Sequence, residues 1–159
     1  PAARDVLRRL LDDDESCGNP SALHPFGERA AAVLSDARDA LAAWCGISPA
    51  ETYFTSGGTE ADYIALHALA HGAAERGERT IVRSAAEHPA VIAACDELAR
   101  EGFRIRVAPV DRDGAVTVDS VASVWTADTG LCTVLAAQNE TGVVMPIRAL
   151  AAFAHANGA

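Results

Sequence analysis

Short apolar runs alternate with helical patterns along most of this chain, and that alternation limits the fold more than any other feature. Apolar residues at helical spacing predict helices, whereas compact apolar runs bounded by turn residues predict strands. The predicted helices cover residues 1–11, 26–45, 59–76, 89–100 and 118–126, with a last one beginning near Pro146, and the predicted strands cover 52–55, 80–84, 103–110 and 131–137. Such alternation is typical of an α/β fold with a mostly parallel sheet flanked by helices.

The composition is that of a folded protein and argues against nucleic-acid and membrane partners. Of the 159 residues, 50% are hydrophobic, which excludes a disordered chain. The formal net charge of −9 opposes binding to nucleic acid or to an anionic membrane, and no apolar run is long enough for a transmembrane helix. The 4 cysteines include no CxxC pair and no secretory signal follows Pro1, so we expect reduced thiols, no zinc site and a cytoplasmic location.

The chain contains no lysine, because all 13 of its basic residues are arginines. No residue of this segment can therefore form a Schiff base with a carbonyl compound or act as a Walker lysine. The first residue is not methionine, and the last helical pattern runs almost to Ala159. We therefore expect that the segment is truncated at both ends.

A glycine turn, Thr55-Ser56-Gly57-Gly58-Thr59-Glu60, joins a predicted strand to a predicted helix. The first N–H groups of a helix lack partners within the helix, and the helix dipole favours negative charge there, so this turn predicts a phosphate-binding site. The loops at 85–88 and 138–142 also follow predicted strands. Because ligands of such sheets bind beyond the carboxyl ends of the strands, we expect the three loops to converge on one crevice.

Several common motifs of nucleotide and catalytic sites are absent. The sequence has no GxGxxG, no P-loop and no GxSxG elbow, which leaves dinucleotide, nucleoside triphosphate and serine-hydrolase chemistry without a motif. His67 and His71 have the i, i+4 spacing of metal ligands. The sequence shows neither the glutamate of HExxH nor a third ligand beside them, so we expect an ordinary helix surface and no metal site.

Two polar residues in the other loops suit a ring-shaped cofactor. His88 precedes Pro89, which favours an extended backbone, and its imidazole can stack on a ring or carry a proton near neutral pH. Asn139 offers an amide donor and acceptor. The simpler alternatives are a surface histidine at a helix start and plain turn chemistry. A phosphate site, a stacking imidazole and a polar amide together match the needs of pyridoxal 5′-phosphate.

Four segments, in order, resemble the motifs of cysteine desulfurases, which are pyridoxal-phosphate enzymes of the class V aminotransferase type and fold type I. The segments are Gly-Asn-Pro-Ser-Ala-Leu-His at 18–24, Phe-Thr-Ser-Gly-Gly-Thr-Glu-Ala-Asp at 54–62, Glu-His-Pro-Ala-Val at 87–91 and Asn-Glu-Thr-Gly-Val at 139–143. The order and spacing of these segments match those of the family's motifs over essentially the whole chain. The resemblance implies that residues 1–159 are the N-terminal part of the large, cofactor-binding domain, truncated at both ends.

Carried over by residue, the resemblance implies that Gly58 and Thr59 hold the cofactor phosphate. It implies that His88 stacks on the pyridine ring and assists proton transfer, and that Asn139 hydrogen-bonds the phenolic oxygen of the ring. The implied reaction removes sulfur from L-cysteine, giving alanine and an enzyme persulfide for iron–sulfur cluster assembly or tRNA thiolation. The implied assembly is a homodimer that passes sulfur to an acceptor protein.

Other parts of the family's machinery have no match in the segment. The resemblance places the Schiff-base lysine, the aspartate at the pyridine nitrogen and the persulfide cysteine after Ala159, and none of the 4 cysteines matches the nucleophile. The segment alone is therefore expected to be inactive. A related class V aminotransferase, a selenocysteine lyase and a non-catalytic module that pairs with a full-length partner remain as alternatives, and a phosphate-binding hydrolase has the least support.

Overall fold

The computed structural model describes residues 2–13 and 18–159, so Pro1 and Cys17 lie outside the described residues. The chain divides into two units, the first ending at Phe54 and the second running from Thr55 to Ala159. The elements, in chain order, are α1 (Ala2–Leu11), α2 (Pro25–Cys45), a 3-10 turn (Pro49–Glu51), α3 (Gly58–Glu75), β1 (Thr80–Ser84), α4 (Pro89–Arg100), β2 (Arg104–Ala108), α5 (Val118–Ala122), β3 (Thr129–Thr133) and α6 (Ile147–Ala156).

The first unit contains two helices with little buried surface. Helix α1 has no buried residue. Helix α2 begins after His24, whose Nδ1 accepts a hydrogen bond from the Gly27 N–H at 3.2 Å. It ends at Gly46, whose φ of 71° is a left-handed conformation that glycine adopts without a steric penalty.

The second unit contains a parallel sheet of three strands in the order β2-β1-β3. Strand β1 pairs with β2 from Thr80↔Arg104 onward. On its other side, Thr80 pairs with Thr129 and Ile81 with Leu131, so that Gly130 is skipped. The first strand in the chain is therefore the central strand of the sheet.

Apolar residues cover both faces of this sheet. Successive residues of a strand point to opposite faces, and Ile81 and Val82 of β1 accordingly belong to different clusters. The first cluster packs β1 against α3 and α4 and contains Leu66, Ala70, Ile81, Val91, Ala94, Cys95, Leu98 and Phe103. The second, on the opposite face, contains Val82, Ala108, Val116, Val121, Met145 and Leu150. A parallel sheet buried on both faces is the arrangement expected of an α/β protein.

The predicted fold class is confirmed, and β1 and α4 have the predicted bounds. One predicted strand is wrong: residues 52–55 are outside the strands, because in the part of the chain that the structure describes this segment pairs with no strand. The strand predicted at 131–137 instead spans Thr129–Thr133, because pairing with β1 begins before the bulge at Gly130. Strand β2 and helix α5 are shorter than predicted.

Candidate functional site

The glycine turn begins helix α3, as its sequence predicts. Gly57 occupies the N-cap position and makes no side-chain cap. Instead, the backbone N–H and the hydroxyl of Ser56 both donate to Glu60 Oε2 at 2.6 Å. These hydrogen bonds lower the pKa of Glu60. The turn is thus shaped by its own side chains, while the first N–H groups of α3 are left for an external acceptor.

The approach to this helix start is open. A Cβ added at Gly57 or at Gly58 would meet no atom within 4 Å. Thr59 is exposed, so its hydroxyl is accessible as well. The geometry suits an anion that contacts backbone N–H groups and a hydroxyl at one helix end.

His88 is the N-cap residue of α4, and its ring is oriented by that role. Its Nδ1 accepts a hydrogen bond from the Ala90 N–H at 3.1 Å, and Pro89 occupies the first turn of the helix. Because Nδ1 is an acceptor, the proton of the neutral ring is on Nε2. The half-buried imidazole is therefore fixed by the helix and keeps one nitrogen for another partner.

The starts of α3 and α4 face a common cavity. Gly58, Thr59 and Asp62 of α3 line it together with His88 and Leu135, and its volume is about 360 Å³. Three of the sequence-predicted site residues, Gly58, Thr59 and His88, are thus brought together. Sequence reasoning assigned no role to Asp62, although its position one helical turn after Thr59 places both on one face of α3.

Asn139 does not line this cavity, so its place in the site stays a prediction. It is exposed in a turn whose Gln138 Oε1 accepts a hydrogen bond from the Thr141 N–H at 2.8 Å. The turn is closed by a bridge between Ala137 and Val144.

A buried carboxyl group connects two segments beside the cavity. Glu87 is 6% exposed and accepts a hydrogen bond from the Leu135 N–H at 2.8 Å. Burial raises the pKa of Glu87, against smaller opposing effects of its hydrogen bonds to the Leu135 and His88 N–H groups and of the Arg83 charge. The loop that contains His88 is therefore held against the segment after β3 by the hydrogen bond of Glu87. The position of Glu87 next to His88 is the only signal that the sequence offered for this role.

The described cysteines lack the features of a nucleophile on a mobile loop. Burial raises the pKa of Cys95 and of Cys132 to about 11, so both thiols are protonated at neutral pH. Cys45 is exposed at the end of α2. None of these three residues lines the cavity at the starts of α3 and α4.

Among the described residues, none of the helices combines the length and the apolar character that crossing a bilayer requires.

The family model and the relatives that match this chain agree with each other. A model of the family "Aminotransferase class-V" matches residues 2–159. The chain is 40% identical over 144 residues to a cysteine desulfurase of Azotobacter chroococcum mcd 1, a match that covers 91% of this chain and 35% of that relative. It is 38% identical over 141 residues to the cysteine desulfurase NifS of Azotobacter vinelandii, covering 88% and 35% respectively.

A solved structure agrees with these sequence matches. The structure of SspA in complex with cysteine superimposes with a TM-score of 0.86 at 28% identity, covering 96% of this chain and 44% of that chain. The resemblance inferred from the four motifs is confirmed. The chain spans 35% of the length of the two curated relatives.

Proposed function

The chain belongs to the class V aminotransferase family, and from that premise we propose that it forms the N-terminal part of the cofactor domain of a pyridoxal-phosphate-dependent cysteine desulfurase. The observation that carries this proposal is the cavity shared by the starts of α3 and α4, which contains Gly58, Thr59 and His88. The names of the relatives support cysteine desulfuration, and the bound cysteine of SspA supports L-cysteine as the substrate.

The residues present fit pyridoxal 5′-phosphate, the cofactor on which enzymes of this family depend in general. The uncapped start of α3 and the Thr59 hydroxyl suit its phosphate, and the absence of side chains at Gly57 and Gly58 leaves room for that group. The half-buried imidazole of His88 suits a flat aromatic ring. A cavity of about 360 Å³ is within the usual range of small-molecule sites.

The cofactor, when bound, supplies an electron sink for the bonds broken at the substrate's carbon atoms. The residues of this chain bind the cofactor and orient its ring. In the proposal, Gly58 and Thr59 hold the phosphate through N–H and hydroxyl donors, and His88 stacks on the ring and carries a proton at Nε2. Asn139 hydrogen-bonds the phenolic oxygen of the ring. Glu87 keeps the His88 loop in register with the chain after β3.

The rest of the machinery must come from outside this segment. The lysine that bonds to the cofactor is not in this chain, which contains no lysine. The thiols of Cys95 and Cys132 are too weakly acidic to act as the sulfur-accepting nucleophile at neutral pH. The proposal therefore assigns both groups to the full-length protein and expects the segment alone to be inactive.

The remaining parts of the proposal concern assembly and use. We place the full-length protein in the cytoplasm as a homodimer that acts on L-cysteine and passes sulfur to an acceptor protein. Iron–sulfur cluster assembly or tRNA thiolation is the proposed destination of that sulfur.

The test uses the full-length protein that contains this chain, supplied with pyridoxal 5′-phosphate and L-cysteine. We expect equal amounts of alanine and transferable sulfur to form. Thr59→Val removes a hydroxyl without changing the side-chain shape, and we expect it to weaken cofactor binding, measured by titrating the apoprotein and following the cofactor absorbance. Gly72→Ala, on the same helix but away from the cavity, is the control and should bind the cofactor normally.

Two results would overturn parts of this proposal. If Thr59→Val and His88→Asn bind the cofactor with the same affinity as the Gly72→Ala control, Thr59 and His88 do not belong to the cofactor site. Normal cofactor binding with transamination but without release of sulfur from L-cysteine would keep the site and identify a different class V aminotransferase reaction.

A further inference from the structure

Helix α3 carries two histidines that face a carboxylate from the end of α4. His67 and His71 are one helical turn apart, and Glu101 caps α4 at its carboxyl end. One ligand atom from each of the three side chains lies within 4.8 Å of the other two. The sequence did not reveal Glu101 beside the histidine pair, because only the packing of α3 against α4 brings it there.

The carboxylate of Glu101 lies between the two imidazoles. Its Oε2 is 3.0 Å from His71 Nε2, and its Oε1 is 3.8 Å from His67 Nδ1. The second distance is too long for a hydrogen bond. Two ligands of one tetrahedral Zn²⁺ ion, with bonds of about 2.0–2.2 Å, lie roughly 3.4 Å apart. The pair of distances thus brackets the separation that a shared metal ion requires.

His67 lacks the hydrogen bonds that a structural histidine would have. Its side chain is 14% exposed, and its buried Nε2 has no hydrogen-bond partner among the described residues. Burying an imidazole nitrogen without a partner is unfavourable. The two nitrogens of one imidazole point in different directions, so an ion beside Glu101 would bind Nδ1, which faces Oε1 at 3.8 Å without a hydrogen bond, and not the buried Nε2.

Aromatic contacts hold both imidazoles in place. The ring of Tyr63 stacks on His67 with centroids 4.0 Å apart, and the rings of His71 and Phe103 form an edge-to-face pair with centroids 5.5 Å apart. These contacts orient the two imidazoles in the absence of an ion, which lowers the entropic cost of binding one.

We propose that His67, His71 and Glu101 bind a divalent transition-metal ion of the Zn²⁺ class. Imidazole nitrogens favour Zn²⁺, Ni²⁺ and Cu²⁺ over Mg²⁺ and Ca²⁺, which take oxygen ligands. Three protein ligands leave at least one position for water. The chain's net charge of −9 also favours a cation.

The site links the two helices that form the cofactor cavity. Residues at the starts of α3 and α4 line the cavity, whereas the metal ligands lie farther along α3 and at the far end of α4. A bound ion fixes the spacing of these helices at a distance from the cavity. Because the ligands come together only in the folded state, the ion stabilises that state by mass action.

The test measures Zn²⁺ binding to the full-length protein by calorimetric titration and by the melting temperature. We expect one equivalent of Zn²⁺ to bind and to raise the melting temperature. His71→Ala and Glu101→Gln each remove one ligand from an exposed position. Each should weaken this binding by more than about 100-fold, above the 10- to 100-fold typical of losing an outer-shell partner.

His155→Ala, which removes an exposed histidine of α6, is the matched control and should bind Zn²⁺ as the unmodified protein does. Co²⁺ in place of Zn²⁺ should give a d–d spectrum without a thiolate charge-transfer band. The proposal fails if His71→Ala and Glu101→Gln bind Zn²⁺ with the same affinity as the His155→Ala control. It also fails if the Co²⁺ spectrum that disappears in these two variants contains a thiolate charge-transfer band. Circular dichroism of each variant separates loss of a ligand from loss of the fold.

Discussion

At the scale of single residues, Gly130 is the glycine of the second unit with the least room for an added side chain. A Cβ there would lie 2.6 Å from Ala73 Cβ and 2.7 Å from Glu78 Cβ. Neither atom can move without its backbone. We therefore expect Gly130→Ala to lower the free energy of unfolding by about 1–3 kcal/mol, measured by urea denaturation.

Gly72→Ala is the matched control, because its added Cβ meets nothing within 4 Å. It should raise the free energy of unfolding by about 0.5–1 kcal/mol, since alanine is the better helix former. Equal unfolding midpoints for the two variants would show that β3 is not held against α3 at Gly130.

The thiols should differ strongly in reactivity. Burial raises the pKa of Cys95 and Cys132 to about 11, so neither forms much thiolate at neutral pH. Cys45 is exposed. Among the three described cysteines, we expect an alkylating reagent to modify Cys45 first and to react with Cys95 and Cys132 much more slowly until the chain unfolds, as peptide mass spectrometry can measure. Rapid labelling of Cys95 in the folded protein would contradict its buried position.

Glu87 should make stability depend on pH. Its pKa is raised by burial, so the folded state keeps the proton at pH values where the unfolded carboxyl has already lost it. The stability that it contributes is complete below the ordinary carboxyl pKa and is lost as the pH rises through the higher folded-state pKa. Glu87→Gln keeps an acceptor for the Leu135 N–H and should show less of this decline in urea unfolding measured over a pH series. Parallel curves for the two proteins would count against the raised pKa.

At the scale of elements, the start of α4 performs two tasks that substitution can separate. His88 caps the helix through Nδ1 and also lines the cavity. His88→Ala should lower the free energy of unfolding by about 0.5–2 kcal/mol, because it removes the cap, whereas His88→Asn keeps a capping oxygen. Both variants should lose cofactor affinity in the full-length protein. Normal cofactor affinity of His88→Asn would show that His88 acts only as a helix cap.

Elements with strong terminal signals were predictable from sequence. Pro89 follows the residue that caps α4, and Thr80–Ser84 is a short β-branched run, so both elements have their predicted bounds. The prediction failed at residues 52–55, because an apolar run becomes a strand only where a partner can pair with it. Long-range pairing is not encoded in the local pattern.

The candidate site shows the same limit. The positions of Gly58, Thr59 and His88 follow from local signals at the starts of two helices. The roles of Glu87 and Glu101 do not, because Leu135 and the two histidines that they meet are distant in sequence. Only the packing of the sheet and of α3 against α4 places these groups together.

At the scale of the whole molecule, the backbone amides in the middle of the sheet should be the best protected against hydrogen exchange. Ile81 and Val82 of β1 are 1% and 0% exposed, whereas α1 buries no residue. In the 159-residue chain we expect the amides of β1 to exchange with solvent most slowly and those of α1 most rapidly. Hydrogen exchange followed by mass spectrometry measures this order. Equal protection of α1 and β1 would contradict it.

The central strand of the sheet precedes both of its partners in the chain, and this order has a consequence during synthesis. Thr80 leaves the ribosome before Arg104 and Thr129, the residues with which it pairs. At about 5–20 residues per second, β1 remains without its second neighbour for roughly 2–10 s. Throughout that interval its apolar side chains are available to a chaperone that screens nascent chains. The strand that is best protected in the finished protein is thus the one most exposed while the chain is being made.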